Sequence, residues 1–123
     1  MRLVFLAGPY HSQNPMQIED NILNAKRAAV ECVNRGIAVF TPHLNYAQFN
    51  HLSTCSEEYF REFDMEFLKR MDAILLLMGW SLSKGATAEY DWWRENRDEN
   101  LIFCMQGYDR LPSQLVDWYF STK

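Results

Sequence analysis

The sequence predicts a single α/β domain over residues 1–123, a Rossmann-like or flavodoxin-like three-layer sandwich with a central parallel sheet of four to five strands. Two observations predict it. Short apolar runs that suit buried strands alternate along the chain with longer segments of helical spacing, which is the order expected of a parallel sheet. A length of 123 residues also allows one hydrophobic core but not two.

Four segments are predicted to be strands: residues 3–7, 37–41, 73–78 and 101–104. The run at 73–78 is unbroken by any polar residue, which is typical of a strand buried on both faces of a sheet. We expect it near the centre of the sheet.

The helices are predicted from their apolar spacing and from their end signals. Asn14 and Pro15 suit an N-cap and first turn, and the helix that follows ends at Gly36. Further helices are expected over 57–71, from about 85 to 99 with Ser83 as N-cap, and after Pro112. Residues 42–55 show no clear period and are interpreted as a long aromatic loop, a candidate lid.

Composition excludes several classes of partner. The net charge is −4 and the basic residues are scattered, so neither a nucleic-acid polymer nor a membrane surface is expected as partner. Cys32, Cys55 and Cys104 are odd in number and form no CxxC pair, which indicates reduced thiols and a cytoplasmic location. No apolar run approaches the roughly 18 residues that a transmembrane helix needs.

The stretch 72–90 organises the predicted site. A buried strand is followed by a loop of small residues and then a helix, and this arrangement directs backbone N–H groups and the positive end of a helix dipole at a small anion. Glu89 lies just inside that helix, and we expect the dipole to keep it ionised. An ionised carboxylate beside such a site is a candidate nucleophile.

Asp64 is the second informative carboxylate. It shares a helix face with Phe60, Phe67 and Leu68, where a carboxylate is rare unless it is paired or functional. Either Asp64 pairs locally at the edge of the apolar stripe, or it joins Glu89 in the site. Two carboxyl groups with different pKa values would suit glycosidic-bond chemistry.

The other candidate side chains leave alternatives open. Tyr10 follows the first strand and is either a ligand contact or a half-buried aromatic residue, and His43 after the second strand contacts a ligand or is satisfied within its loop. Trp80 belongs to the core or a subunit contact, or it stacks on a base. His43, His51 and Cys55 lack a metal-ligand spacing, so neither a metal nor a cofactor is predicted.

Four sequence segments together resemble one known superfamily. They are Ala7-Gly8-Pro9-Tyr10, the segment from Gly36 through Phe40-Thr41-Pro42-His43-Leu44-Asn45, Asp64 eight residues before Asp72, and the run from Gly79 to Glu89. In this order they resemble the nucleoside 2-deoxyribosyltransferase-like superfamily. It includes the deoxyribosyltransferases and the 2'-deoxynucleoside 5'-monophosphate N-hydrolases, along with small phage and bacterial members.

The resemblance implies a site and a reaction. Glu89 would be the nucleophile at the anomeric carbon, Tyr10 would orient it, and Asp64 would handle protons or contact the base. It implies a nucleoside or nucleotide substrate and a homodimer or higher homo-oligomer, for which the aromatic segment 108–120 offers surface. The residues expected to contact substrate are Gly8, Pro9, His43, Trp80, Ser81, Ser83, Lys84 and Gly85.

One position bears on the substrate. The transferases that resemble this chain have an acidic residue where Ser83 stands, and the monophosphate hydrolases have a serine. Ser83 therefore favours hydrolysis of a 5'-monophosphate, although residues 8–11 contain no arginine for the phosphate. The alternatives are a transferase that moves the sugar between bases and a nucleotide-binding or sensor domain without turnover.

Overall fold

A computed structural model describes residues 1–47, 49 and 53–122. Its centre is a four-stranded parallel sheet in the order β2-β1-β3-β4, and this confirms the predicted α/β fold. The strands are β1 (Val4–Ala7), β2 (Val39–Phe40), β3 (Ala73–Leu76) and β4 (Ile102–Cys104). β1 and β3 are buried along their whole length, as their unbroken apolar runs predict.

Helices cover both faces of the sheet and make it a three-layer sandwich. Helix α1 (Pro15–Asn34) packs on one face together with α5 (Ser113–Phe120). Helices α3 (Glu57–Leu68) and α4 (Lys84–Asn96) pack on the other face. The inward side chains of each strand alternate between these two cores, so that Val4 and Leu6 face α1 while Phe5 and Ala7 face α3 and α4.

Two predicted helix starts are confirmed in detail. The Asn14 side chain accepts a hydrogen bond from the backbone N–H of Met16 at 3.0 Å, and Ser83 Oγ accepts one from that of Ala86 at 3.2 Å. Each side chain satisfies a backbone donor that the helix itself leaves unpaired. The loop before α4 contains a further 3-10 turn, Trp80–Leu82.

The segment around β2 differs from the prediction. Only Val39 and Phe40 form the strand that pairs with β1, while the N–H of Ile37 donates to the carbonyl of Cys32 in α1. The segment interpreted as a loop from 42 onwards begins with one helical turn, α2 (Pro42–Asn45), with proline at its first position. His51, which belongs to that predicted loop, lies outside the described residues.

The central strands approach very closely at their carboxyl ends. The N–H of Leu77 donates to the carbonyl of Ala7 at 2.8 Å, and a Cβ added at Gly8 would lie 2.6 Å from the Cβ of Leu77. Only glycine therefore fits at position 8. This close approach fixes the position of the loop after β1 relative to the loop after β3.

The aromatic C-terminal segment packs largely on the domain itself. The ring centroids of Trp118 and Phe103 are 5.8 Å apart, and the Tyr119 hydroxyl accepts a hydrogen bond from the N–H of Ala38 at 3.1 Å. Leu115 of α5 is fully buried in the core. Tyr108 and Phe120 are the exposed aromatic residues that remain in the segment predicted as a subunit contact.

The three cysteines are unpaired, with Cys32 buried and Cys55 and Cys104 exposed. Within the part of the chain that the structure describes, no helix has the length and apolar character to cross a membrane.

Candidate active site

A cavity of about 240 Å³ opens at the carboxyl ends of β1, β2 and β3. In the order β2-β1-β3-β4 the chain leaves β1 toward one side and returns to β3 on the other, and such a reversal leaves a crevice at the sheet edge. The loops after β1 and β3, helix α2 and one face of α3 form its walls. The cavity thus lies where the sequence predicts ligands to bind.

Most of the predicted site residues line this cavity: Gly8, Tyr10, His43, Asp64, Ser83, Lys84, Gly85 and Glu89. Pro9, Trp80 and Ser81 are not among its lining residues within the described part of the chain. The Pro9 carbonyl instead accepts a hydrogen bond from His43, and the Trp80 ring packs 4.7 Å from that of Tyr90. Trp80 is partly buried and packs against the core on the α3 and α4 side of the sheet.

Glu89 is almost completely buried, with 8% of its surface exposed. Burial, and then the negative charge of Asp64, raise its pKa well above the ordinary value. Burial therefore opposes the ionised state of Glu89 that the helix dipole was expected to favour. The dipole acts mainly within the first turn, and Glu89 lies in the second, where desolvation is the larger effect.

Asp64 reaches the cavity from α3, whereas Glu89 reaches it from α4. Burial raises its pKa to about 7. Its Oδ1 atom is buried, and among the described residues it has no hydrogen-bond partner. The local pairing considered from the sequence is therefore absent for this oxygen, and Asp64 is a carboxyl group that can hold or release a proton near neutral pH.

His43 is buried and fixed in one orientation. Its Nε2 lies 2.9 Å from the carbonyl oxygen of Pro9, and since a carbonyl only accepts, Nε2 carries the proton and donates it. Burial lowers the pKa of the ring, so it is neutral near pH 7. Nδ1 is then an acceptor, and it is buried without a partner among the described residues.

Aromatic rings form the apolar wall of the cavity. Tyr46, which follows α2, stacks on Phe60 of α3 with ring centroids 5.1 Å apart and an angle of 24° between the planes. The Tyr46 hydroxyl is buried, with no hydrogen-bond partner within the described part of the chain. Such a wall suits a flat ring with polar edges. Sequence reasoning missed it, because the contact joins two segments that lie far apart along the chain.

The lining of the cavity also includes groups that suit an anion. The first turn of α4 contributes Ser83, Lys84 and Gly85, so the positive end of a helix dipole and a lysine face the same space. Arg61 of α3 also lines the cavity, although no arginine occurs near the loop after β1. His11 Nδ1 lies 3.5 Å from Glu57 Oε1, and this contact joins the loop after β1 to the start of α3.

Among the described residues, no group of three or more histidine, cysteine, aspartate or glutamate side chains could hold a metal ion. His51 lies outside that set. The described residues that line the cavity supply two carboxyl groups, a neutral imidazole and a site suited to an anion.

Fold and cavity define a Rossmann-like α/β domain with a carboxylate-containing pocket at the sheet edge. Residues 2–102 match the family described as a domain of unknown function, DUF7768, and the chain belongs to this family. The match includes Tyr10, Asp64 and Glu89. Comparison with curated proteins gives no match.

Proposed function

We propose that this domain cleaves the N-glycosidic bond of a (2'-deoxy)nucleoside 5'-monophosphate through a covalent glycosyl-Glu89 intermediate that water releases. The observation that carries the proposal is the pairing of Glu89 and Asp64, two largely buried carboxyl groups with raised pKa values, at one cavity that the first turn of α4 and Lys84 also line. The proposal places the chain in the nucleoside 2-deoxyribosyltransferase-like superfamily that its motifs resemble.

The first step would form one bond and break another. The Glu89 carboxylate attacks C1' of the sugar, the electron pair of the C1'–N bond leaves with the base, and the base takes a proton from Asp64. The transition state resembles an oxocarbenium ion, whose positive charge favours an ionised carboxylate beneath the ring. The second step would return the enzyme to its starting state, as water attacks C1', Glu89 departs and the Asp64 carboxylate accepts the proton.

The raised pKa values support this division of roles. The two neighbouring carboxyl groups hold a proton more readily than isolated carboxyl groups do, because like charges in a desolvated site do not both ionise readily. The reactive form has the proton on Asp64 and the charge on Glu89. Developing positive charge at C1' favours that form, since Glu89 would be the closer carboxylate.

The other residues that line the cavity would contact different parts of the substrate. The first turn of α4, with Ser83 and Lys84, would receive the 5'-phosphate, and Arg61 would add a second positive charge. The stacked Tyr46 and Phe60 rings would contact the base. Tyr10 would orient the Glu89 carboxylate, and His43 Nδ1 would accept a hydrogen bond from a hydroxyl or amino group of the substrate.

The test is a panel of ribo- and deoxyribonucleosides and their 5'-monophosphates, with and without a second free base. Chromatography follows released base and newly formed nucleoside. We expect base release from monophosphates that disappears in Glu89→Ala and persists in Glu95→Gln, an exposed carboxylate on the same helix.

Other outcomes select the alternatives. New nucleoside that forms only when a second base is present would identify a transferase. If no substrate of the panel releases a base and ligand binding persists in Glu89→Ala, the chain is a nucleotide-binding or sensor domain without turnover.

A further inference from the structure

Three residues that line the cavity have a buried polar atom without a hydrogen-bond partner in the described part of the chain. The atoms are His43 Nδ1, the Tyr46 hydroxyl oxygen and Asp64 Oδ1. A buried polar group without a hydrogen bond is costly, and a substrate that supplies the missing partner removes that cost. The three atoms therefore indicate which groups the substrate presents. Under the proposed function Asp64 meets the departing base, and the partner of His43 can be narrowed further.

His43 and Asp64 lie on the same side of the aromatic wall. The chain leaves the carboxyl end of β2 to form α2, so His43 lies closer to the sheet than Tyr46, which comes three residues later. Helix α3 runs back toward the start of β3, so Asp64 lies closer to the sheet than Phe60, four residues earlier. Residues at these spacings share one face of a helix, and the Tyr46 and Phe60 rings stack on each other. The imidazole and the carboxyl are thus both on the sheet side of the stacked rings.

His43 Nδ1 can only accept a hydrogen bond. The proton of the neutral ring is on Nε2, because the other tautomer would place two acceptors, Nε2 and the Pro9 carbonyl oxygen, 2.9 Å apart. The His43 side chain is also only 4% exposed, so the substrate is the group that can reach this atom. A bound substrate must therefore present an N–H or O–H donor to Nδ1. A carbonyl oxygen at that position would face the lone pair of the imidazole.

The chemistry of purine departure connects the two polar atoms. A purine is a better leaving group when N7 is protonated, so N7 is the purine atom that a proton from Asp64 would reach. The neighbouring group on the same edge of the base is the substituent at position 6. Adenine has an amino donor there, whereas a 6-oxopurine has an oxygen that only accepts. Adenine can therefore satisfy Asp64 with N7 and His43 with its amino group, and a 6-oxopurine can satisfy only Asp64.

We propose that the site selects a 6-aminopurine nucleotide over a 6-oxopurine nucleotide, with N7 of the base at Asp64 and the 6-amino group donating to His43 Nδ1. This inference rests on the proposed function for the role of Asp64. The need of His43 for a donor follows from its burial and its bond to Pro9, and it applies to any ligand of the cavity. His43 is in this account a specificity-determining residue, because it accepts a hydrogen bond and takes no proton.

The test compares the 5'-monophosphates of adenine and hypoxanthine, in the ribo and deoxyribo series, because the two bases differ on this edge only at position 6. We expect kcat/KM for base release to be on the order of 10- to 10²-fold higher for adenine, since an unpaired buried acceptor costs about that much. His43→Gln should bring this ratio close to one, because an amide can also donate to an oxygen. Leu44→Gln is the matched control on the same helical turn, 43% exposed, and should keep the wild-type ratio. Each ratio is measured within one preparation, so a loss of folded protein cancels.

Binding separates this inference from the proposed function. Calorimetry with Glu89→Gln, in which turnover is removed, should show tighter binding of the adenine monophosphate than of the hypoxanthine monophosphate. Such a preference without any base release in the wild-type protein would overturn the proposed function and support the selectivity. Base release that is as fast or faster from the hypoxanthine nucleotide, a ratio that His43→Gln leaves unchanged, or a lack of binding to either nucleotide would overturn the selectivity.

Discussion

The carboxyl groups of Asp64 and Glu89 reach one cavity from two different helices, and the charge of Asp64 is one of the two causes that raise the pKa of Glu89. The other and larger cause is burial. Among the described residues, no arginine or lysine lowers the pKa of either group, and burial raises that of Asp64. The pair therefore retains a proton near neutral pH, which is the property that acid catalysis of base departure needs.

The pH dependence of the reaction tests the role of Asp64. If Asp64 is the general acid, kcat/KM should fall as the pH rises above about 7, where this carboxyl loses its proton. Asp64→Asn should lower kcat/KM by about 10²- to 10⁴-fold at pH 6 and should remove that alkaline decline.

The matched control for that experiment is Glu62→Gln, an exposed carboxylate on the same helix, which should keep the wild-type profile. An Asp64→Asn profile that still falls above pH 7 would assign the proton to another group.

The raised pKa of Asp64 also predicts how the free energy of unfolding depends on pH. The folded state binds the proton of Asp64 more tightly than the unfolded state does, because its folded pKa is raised to about 7 from an unfolded value near 4. Ionisation of Asp64 therefore destabilises the folded protein. This effect is absent below about pH 4 and complete above about pH 7. Asp64→Asn should thus raise the free energy of unfolding at pH 8 by on the order of 2 kcal/mol and change it little at pH 4.

Urea unfolding at the two pH values measures this difference. A variant that is equally or less stable than wild type at pH 8 would show that the Asp64 carboxylate is stabilised in the folded state. Glu62→Gln, with an exposed side chain, should differ from wild type equally at both pH values.

Ser83→Asp tests whether a 5'-phosphate binds beside Ser83, because the substitution keeps the helix cap and adds a negative charge. Aspartate caps a helix about as well as serine, so the variant should remain folded. Its negative charge would repel a 5'-phosphate, and kcat/KM should fall at least about tenfold more for monophosphates than for the corresponding nucleosides. Equal losses on both substrates would show that no phosphate lies at the first turn of α4.

Gly8→Ala tests the close approach of the two central strands. The added Cβ would lie 2.6 Å from the Cβ of Leu77, an atom that cannot move without its strand, so we expect a loss of about 2 kcal/mol or more in the free energy of unfolding. Gly107→Ala is the control, since its Cβ would make an ordinary contact at 3.5 Å with Arg110. Equal stability of the two variants would contradict the described geometry of β1 and β3.

The local features of the site could be read from the sequence. Asn14 and Ser83 cap their helices as predicted, because a cap depends on residues within one turn. Asp64 could be recognised as unusual because the apolar stripe around it is formed by residues within about one turn of the same helix.

The rest of the site depends on contacts between distant segments. The Tyr46–Phe60 wall, the entry of Arg61 and the raised pKa of Glu89 follow from the packing of α3 against α4 and the loop after α2, which spacing along the chain does not encode. The dipole argument for Glu89 considered one helix and not the burial imposed by its neighbours, which raises the pKa of this carboxyl.

The most direct test of the central claim is the mass of the peptide that contains Glu89. Turnover of a 2'-fluorinated nucleoside 5'-monophosphate is slowed, because fluorine destabilises the oxocarbenium-like transition state, and the intermediate can then be trapped with acid. Glu89→Gln is the comparison, since glutamine resembles the protonated carboxyl that burial favours and should preserve the fold.

We predict a sugar-phosphate adduct on Glu89 in the wild-type protein and in Glu95→Gln, and none in Glu89→Gln, together with a loss of base release on the order of 10³-fold or more in Glu89→Gln. Base release with an unmodified Glu89 peptide, or release that survives Glu89→Gln, would contradict the account.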